Sequence, residues 1–423
     1  MTLLEELTWR GSYHDSIPET GEYLNSSQPR AYIGYDPTAP SLHIGNLATI
    51  MLLVHLQRHG GKPFILMGGA TGRIGDPSGK KSERTLLSEE VIEANLQAQK
   101  SQFSKFLDFD GNNSAELVNN FDWYENMNVL SFLRDVGKHL TVNYMMAKDS
   151  VKSRLDSGLS FTEFSYQLLQ GFDFHHLYST HNVKLQMGGS DQWGNITAGT
   201  ELIRRMSDGK AYALTCPLIT KADGSKFGKS ESGNIWLDPS LTSPYKFYQY
   251  FINTTDEEAI TYLKVFSLRT IDEIQQTITD HEAQIGARIA QKALADELTT
   301  LVHSEDELNT AKRAASILFG KASKQDFEEL SKVQFLEIFE AVPQSEISRA
   351  LLIDGLPITE LSSTETNFLT SNSEVRRALK EGSLKLNKQA VKSETIVGEA
   401  DLLLNEFLLL QRGKKKYHLV RVV

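Results

Sequence analysis

Short apolar runs alternate with amphipathic helical stretches through the first half of this chain, and that alternation is the strongest constraint on its fold. Arg30 to Tyr35 reads as a strand, and Leu42 to Arg58 as a helix that closes at Gly60-Gly61. Pro63 to Met67 is a second apolar strand, and Ser88 to Phe106 a long amphipathic helix. Glu116 to Val118, Val183 to Met187 and Ala211 to Leu214 read as further strands. Met127 to Val136, Ser160 to Tyr178 and Asp191 to Met206 read as the helices between them. Strands joined through helices predict an α/β domain with a parallel sheet, whose ligands sit at the carboxyl ends of the strands.

After Trp236 the pattern changes. Pro244 to Asn253, Asp256 to Phe266, Thr270 to Lys292 and Leu294 to His303 read as helices. From Ala314 to about Gly355 the chain reads as less regular helix, interrupted at Pro343. Glu374 to Lys380 is a basic helix with Gly382 just past its end, and Ser383 to Leu386 alternates like a strand. Phe407 to Leu410 and Tyr417 to Val423 flank Arg412-Gly413-Lys414 as a closing hairpin. Ser371 to Val423 holds eleven Lys or Arg and six Asp or Glu, net +5, in a chain of net charge −10, so the remainder carries −15. A basic module on an acidic body suits a polyanion, although charge alone reads the same for a solvated basic face.

With 40% apolar and 23% charged residues, the 423-residue chain is neither disordered nor collagen-like. Its single cysteine, Cys216, makes no internal disulfide, which fits a reducing, cytoplasmic setting. The acidic start lacks the basic region of a signal peptide, and Leu402 to Leu410 is short and broken by Asn405 and Glu406, so no membrane segment is expected.

Three stretches carry chemistry. In Tyr32-Ile33-Gly34-Tyr35-Asp36-Pro37-Thr38 through Ser41-Leu42-His43-Ile44-Gly45-Asn46, a strand runs by a turn-rich loop into a helix start. Free N–H groups there favour an anion, and a histidine adds a donor to phosphate. A capped helix with an incidental histidine reads the same. Lys226-Phe227-Gly228-Lys229-Ser230 spaces two lysines by three, which suits a polyphosphate as well as a solvated loop. Tyr166, Gln170 and Asp173 fall at i, i+4 and i+7, a polar helix stripe suited to a zwitterion with a hydroxyl, or to solvent. Other motifs fail: Gly75 to Lys81 is one residue short of a phosphate loop, and His55 and His59 lack the glutamate of a zinc helix.

Together, His43-Ile44-Gly45-Asn46 and Lys226-Phe227-Gly228-Lys229-Ser230 resemble the HIGH and KMSKS signatures of class I aminoacyl-tRNA synthetases. Gly68-Gly69-Ala70-Thr71-Gly72, Gly75 to Arg84, Val142 to Met146, Phe161 to Tyr166 and Gly188 to Asn195 resemble the bacterial tyrosyl-tRNA synthetase family, densely from Tyr32 to Trp236 and again at the basic end. The resemblance implies a Rossmann-like catalytic domain over 1–230, an α-helical domain over 231–320, a linker region over 321–353 and a small α+β, S4-like RNA-binding domain over 354–423. It implies that Tyr32 and Asp173 hold the phenol of L-tyrosine, that Tyr166 and Gln170 receive its amino group near Asp76, and that Gln192 is a further substrate contact. For ATP it implies Asp36, Gly45, Asn46, Gly189 and Asp191, the last two at the ribose. Thr38 and His43 would stabilise the phosphates, while Lys80, Arg84, Lys226, Lys229 and Ser230 close on pyrophosphate. Arg376, Arg377, Lys380, Arg412, Lys414, Lys415 and Lys416 would contact tRNA(Tyr). ATP enters as substrate with Mg2+, no metal is tightly held by the protein, and the family is homodimeric. The departure is Asn46, where the signature has a second histidine: an amide donates a hydrogen bond but does not titrate.

Two rivals stand beside this reading. Tryptophanyl-tRNA synthetases have a similar catalytic fold but lack the basic end, and Tyr32 with Asp173 suits a phenol better than an indole. A catalytically silent RNA-binding paralogue is the other, opposed by the lysines of both signatures. A chain cut after Gly355 is expected to keep amino-acid activation and lose tRNA charging.

Overall fold

The computed structural model describes residues 1–78, 87–155, 158–221, 224, 227–230, 233–319, 324–340, 342–413 and 416–423. The chain divides into two units, Met1–Ser243 with Tyr250–Val302, and Pro244–Gln249 with His303–Val423.

In the first unit six strands among the described residues form one sheet: β1 (Asp15–Ser16), β2 (Arg30–Tyr35), β3 (Lys62–Met67), β4 (Glu116–Asn119), β5 (Leu185–Gly189) and β6 (Tyr212–Cys216). Their order is β1-β6-β5-β2-β3-β4, and every pairing except β1 with β6 is parallel. The five parallel strands are those expected from the apolar runs, within two residues at each end. The antiparallel edge β1 was not expected, because two residues show no alternation. Helices Ile44–Arg58, Glu89–Lys100, Phe161–His181 and Trp193–Ser207 flank the sheet. Phe161–His181 and Trp193–Ser207 pack closely because Gly199 has no side chain: a Cβ there would sit 2.9 Å from Phe174 Cδ1. That contact seats the polar helix stripe, and Phe174, Leu177 and Ile203 meet Tyr32, Phe64 and Leu66 of the sheet in one core.

Further on, Thr270 to Lys292 is not one helix. Ile271–Ala283 ends, a short 3-10 turn follows, and Arg288 takes a left-handed conformation (φ 53°) before Ile289–Val302. The Arg288 guanidinium donates to the carbonyls of Ile252 and Thr254, a distant partner that periodicity does not reveal.

In the second unit, β9 (Gln344–Ile347), β11 (Leu384–Leu386), β12 (Gln389–Ala390), β14 (Phe407–Arg412) and β15 (Lys416–Val422) form a sheet in the order β12-β11-β14-β15-β9, beside a small pair, β10 (Leu356–Pro357) and β13 (Ile396–Val397). The closing hairpin is β14 with β15. Ser371 caps the basic helix Asn372–Lys380, its hydroxyl accepting from the Glu374 N–H, and Gly382 follows its end at φ 63°. One sheet face packs Leu384, Leu410 and Val420 against Val375 and Ala378 of that helix. The other packs Phe407, Leu409 and Leu419 against Phe327, Phe335 and Phe339. The segment 321–353 therefore carries a strand, β9, where helix was expected, and its described residues supply half an aromatic core. A cut after Gly355 would strip β14 and β15 from those phenylalanines, so it disturbs folding.

Candidate active site

The large sheet opens at one place. β2 and β5 pair only at Ala31 with Leu185 and Tyr32 with Gln186, whereas β2 stays on β3 through Tyr35 and β5 stays on β6 through Gly189. The chain winds from β2 to β3 and β4 on one side, with β5 and β6 on the other, so this gap is a topological switch point, where open α/β sheets take their ligands. A cavity of about 910 Å³ lies there. All six residues expected at the amino acid line it: Tyr32, Asp76, Tyr166, Gln170, Asp173 and Gln192. Asp36, Thr38, His43, Gly45 and Asn46, which follow β2, line it too, as do Gly189, the last residue of β5, and Asp191 just after it.

One end of the cavity is built for a hydroxyl. Tyr32 is 1% exposed and its Oη has no partner, so it holds an unused donor in a dry place. Asp173 is also buried; its Oδ1 accepts from Trp123 Nε1 at 2.9 Å and its Oδ2 from Asn120 Nδ2 at 3.1 Å. Burial pushes its carboxyl up to about 7, against the two N–H donors, which favour the ionised form. Asn120 is itself fixed, its Oδ1 accepting from the Ala70 N–H and its Nδ2 donating to Thr71 Oγ1.

Farther along, the groups suit an ammonium. Tyr166 Oη donates to Asp36 Oδ2 at 2.8 Å, which leaves its own lone pair as an acceptor. Burial raises the Tyr166 phenol well above its ordinary range, with Asp36 and Asp76 adding to it, so it stays protonated. Gln170 Oε1 is buried without a partner. Asp76 accepts from Gln192 Nε2 at 2.7 Å and from the Ser78 N–H at 2.9 Å. A carboxylate, an amide oxygen and a phenol oxygen converge there.

The helix start at His43 is a reciprocal cap. Gly45 N–H donates to His43 Nδ1, and His43 N–H donates to Asn46 Oδ1, each at 3.0 Å. A ring whose Nδ1 accepts carries its proton on Nε2 when neutral, and this ring stands at a helix N-terminus, where anions are favoured. The cap uses the Asn46 oxygen and leaves its NH2 for a ligand. Asparagine thus fills the fourth signature position as both cap and donor.

The second signature segment reaches the same place. Gly228 lies at φ 85°, and a Cβ on it would stand 3.1 Å from Ile44 Cγ1 and 3.2 Å from the Gly45 nitrogen. Gly228 O accepts from Ile235 N–H, Ile235 O accepts from Ile44 N–H, and His43 bridges Trp236, so the two segments are stitched by backbone. Phe227, Asn234 and Trp236 line the cavity. Lys229 and Ser230 form β7, paired with β8 (Gly233–Asn234). Lys80, Arg84 and Lys226 lie outside the described residues, as do Lys414 and Lys415.

A family profile described as class I tRNA synthetases (W and Y) matches residues 24–320, and one described as the tyrosine–tRNA ligase SYY-like C-terminal domain matches 334–420. The chain belongs to the class I tRNA synthetases of that group. It is 54% identical over 421 residues to the tyrosine–tRNA ligase of Cytophaga hutchinsonii, covering 99% of both chains. It is 53% identical over 428 residues to that of Flavobacterium johnsoniae, covering 100% of this chain and 99% of the relative. A crystal structure of a C-terminally truncated mitochondrial tyrosyl-tRNA synthetase from Aspergillus nidulans superposes with a TM-score of 0.67 at 30% identity, over 75% of this chain and 94% of that one.

The synthetase also holds residues that sequence reasoning missed. Asn120 and Trp123 orient Asp173, Thr71 bridges Asp36 to Asn120, and Gln186 lines the cavity beside Tyr32 with its Oε1 unpartnered. The available signal was position: Asn119 ends β4, and polar residues at the carboxyl end of a parallel strand fall near the switch point. Of the basic residues in the second unit, Arg376, Arg377 and Lys380 are exposed on their helix. Arg412 is instead ion-paired with Glu374, and Lys416 Nζ donates to the Phe368 carbonyl at 3.0 Å.

Proposed function

We infer that the switch-point cavity is where this chain, a tyrosine–tRNA ligase, joins L-tyrosine to ATP. The carrying observation is the pair of Tyr32 and Asp173, an unused buried donor beside a buried acceptor, with the two signature segments stitched together at the other end. The substrate phenol accepts from Tyr32 and donates to Asp173. Its ammonium lies among Asp76, Tyr166 and Gln170, with Gln192 beside them. The carboxylate attacks the α-phosphorus of ATP, the bond to pyrophosphate breaks, and tyrosyl-adenylate forms.

No side-chain nucleophile takes part, so catalysis is positioning plus donors aimed at developing charge. Thr38 and His43 Nε2 meet the phosphates, Asn46 donates to the nucleotide, and Gly189 and Asp191 hold the ribose. Lys229 and Ser230, with Lys80, Arg84 and Lys226, balance the leaving pyrophosphate. Mg2+ enters on the ATP phosphates as part of the substrate. The tyrosyl group then passes to the 3′-terminal adenosine of tRNA(Tyr).

We assign activation to residues 1–230 and RNA capture to the basic end, 354–423, through Arg376, Arg377 and Lys380, with Lys414 and Lys415. Pyrophosphate exchange should respond to tyrosine and not to tryptophan or phenylalanine. The triple variant Arg376→Glu, Arg377→Glu, Lys380→Glu should keep that exchange and lose tRNA charging, because phosphate contacts dominate RNA affinity. Exchange driven by tryptophan would support the rival synthetase, and none with any amino acid would support the silent paralogue.

The single, buried cysteine fits a cytoplasmic site of action, and among the described residues no helix is long and apolar enough to cross a membrane. The chain works as a homodimer through an apolar face of the first unit. Leu130 is 72% exposed and Phe161 75%, with Val129, Leu133 and Val142 also exposed, and exposed large apolar side chains are candidates for an interface. The intact chain should sediment as a dimer and the variant Leu130→Asp, Phe161→Asp as a monomer; unchanged sedimentation would refute this face.

A further inference from the structure

Two N–H donors, with the Tyr124 hydroxyl beside them, meet the Asp173 carboxylate, and one of the two rests on a residue that no part of the mechanism uses. Trp123 belongs to the short helix Phe121–Tyr124 and is half-buried. It packs against the core that contains Tyr32, Phe64 and Phe174. It also stacks on His176, with ring centroids 4.3 Å apart and planes 18° from parallel. His176 stands three residues after Asp173, one turn along the same helix and on the same face. The indole is therefore packed against the core and stacked on an imidazole, and its Nε1 donates to Asp173 Oδ1 at 2.9 Å. A planar ring stacked on a second ring has its tilt restricted, and an N–H in that plane turns with it.

We propose that His176 is a positioning residue for tyrosine recognition: it stacks on Trp123 and so fixes the N–H that aims the Asp173 carboxylate at the substrate phenol. The proposal rests on the reading that Asp173 receives that phenol. Burial, then the neighbouring His181 and His175, hold the His176 imidazole below its ordinary range, so at neutral pH it stacks as an uncharged ring. Its face covers the indole while its edge meets solvent. The ring surface is what the argument requires, and no hydrogen bond from His176 to the substrate enters it.

The test compares His176→Ala with His176→Phe in tyrosine-dependent pyrophosphate exchange. The alanine variant should raise KM for tyrosine about fivefold, the worth of one aromatic pair, with kcat and KM for ATP unchanged. Its preference for tyrosine over phenylalanine should fall by a similar factor. The phenylalanine variant keeps a flat ring over Trp123 and should restore both values. An alanine variant with native KM and native preference overturns the proposal. So does equal impairment of the two variants, or a loss spread over kcat and both KM values, which a merely structural role would produce. Asp173→Ala is measured alongside: if it leaves the preference intact, the reading of Asp173 has failed rather than the role of His176 within it.

Discussion

In competition between tyrosine and phenylalanine, Asp173→Ala lowers the preference for tyrosine by about a hundredfold, since a hydrogen bond to a buried charged group is worth about 3 kcal/mol. The substitution removes the charged acceptor of the phenol and strips Trp123 Nε1 and Asn120 Nδ2 of their common partner. The same carboxyl imposes a pH dependence. Burial raises it to about 7 in the free protein, and the phenol donates far more strongly to its ionised form than to the neutral acid. Binding tyrosine therefore lowers that pKa and, below about pH 7, releases a proton. The dissociation constant for tyrosine should rise about tenfold per unit as pH falls below that point, and be flat above it. Calorimetry from pH 5.5 to 8, a range of about one unit or more on either side, measures this directly. A flat wild-type profile, or the same slope in the alanine variant, would refute the assignment of the phenol to Asp173.

Lys229→Ala should slow adenylate formation by about a hundredfold while changing tyrosine affinity by less than about twofold, the pattern of a group that acts only as charge develops. The reason lies in the backbone. Gly228 is pressed onto Ile44 and Gly45 at the start of the signature helix, and Lys229 pairs with Asn234, which lines the cavity. On the proposed assignment its ammonium serves the departing pyrophosphate, not the amino acid. Stopped-flow formation of the adenylate, set against equilibrium binding of tyrosine, separates the two effects. Equal losses in both would mean that Lys229 holds the ground state.

The elements that were legible beforehand share a property: their signal is local. β2, β3, β5 and β6 show as largely buried runs because both faces are covered, whereas the half-buried edge strand β4 shows only as Leu117-Val118. The stripe of Tyr166, Gln170 and Asp173 shows in a window of eight residues because helical periodicity is a short-range rule. The cap at His43 and the turn at Gly228 carry their own residue types. The break at Arg288 was hidden because its partners, Ile252 and Thr254, lie more than thirty residues away. Asn120 and Trp123 escaped notice for the same reason, since each reaches Asp173 across about fifty positions. At the basic end, composition pointed to seven cations alike. Sheet register and the adjoining helix turned Arg412 onto Glu374 and Lys416 onto the Phe368 carbonyl, and left Arg376 and Arg377 facing solvent.

Residue order alone determined the α/β layout, the two signature segments and the polar helix face, because each is written in spacing along the backbone. Tertiary structure decided that these parts share one cavity, that β2 and β5 separate beyond Tyr32 to admit a ligand, and that Asp173 is held dry between an amide and an indole. Those outcomes depend on which distant surfaces pack together. Packing sets the burial that raises the Asp173 carboxyl and brings up the two N–H donors that meet it.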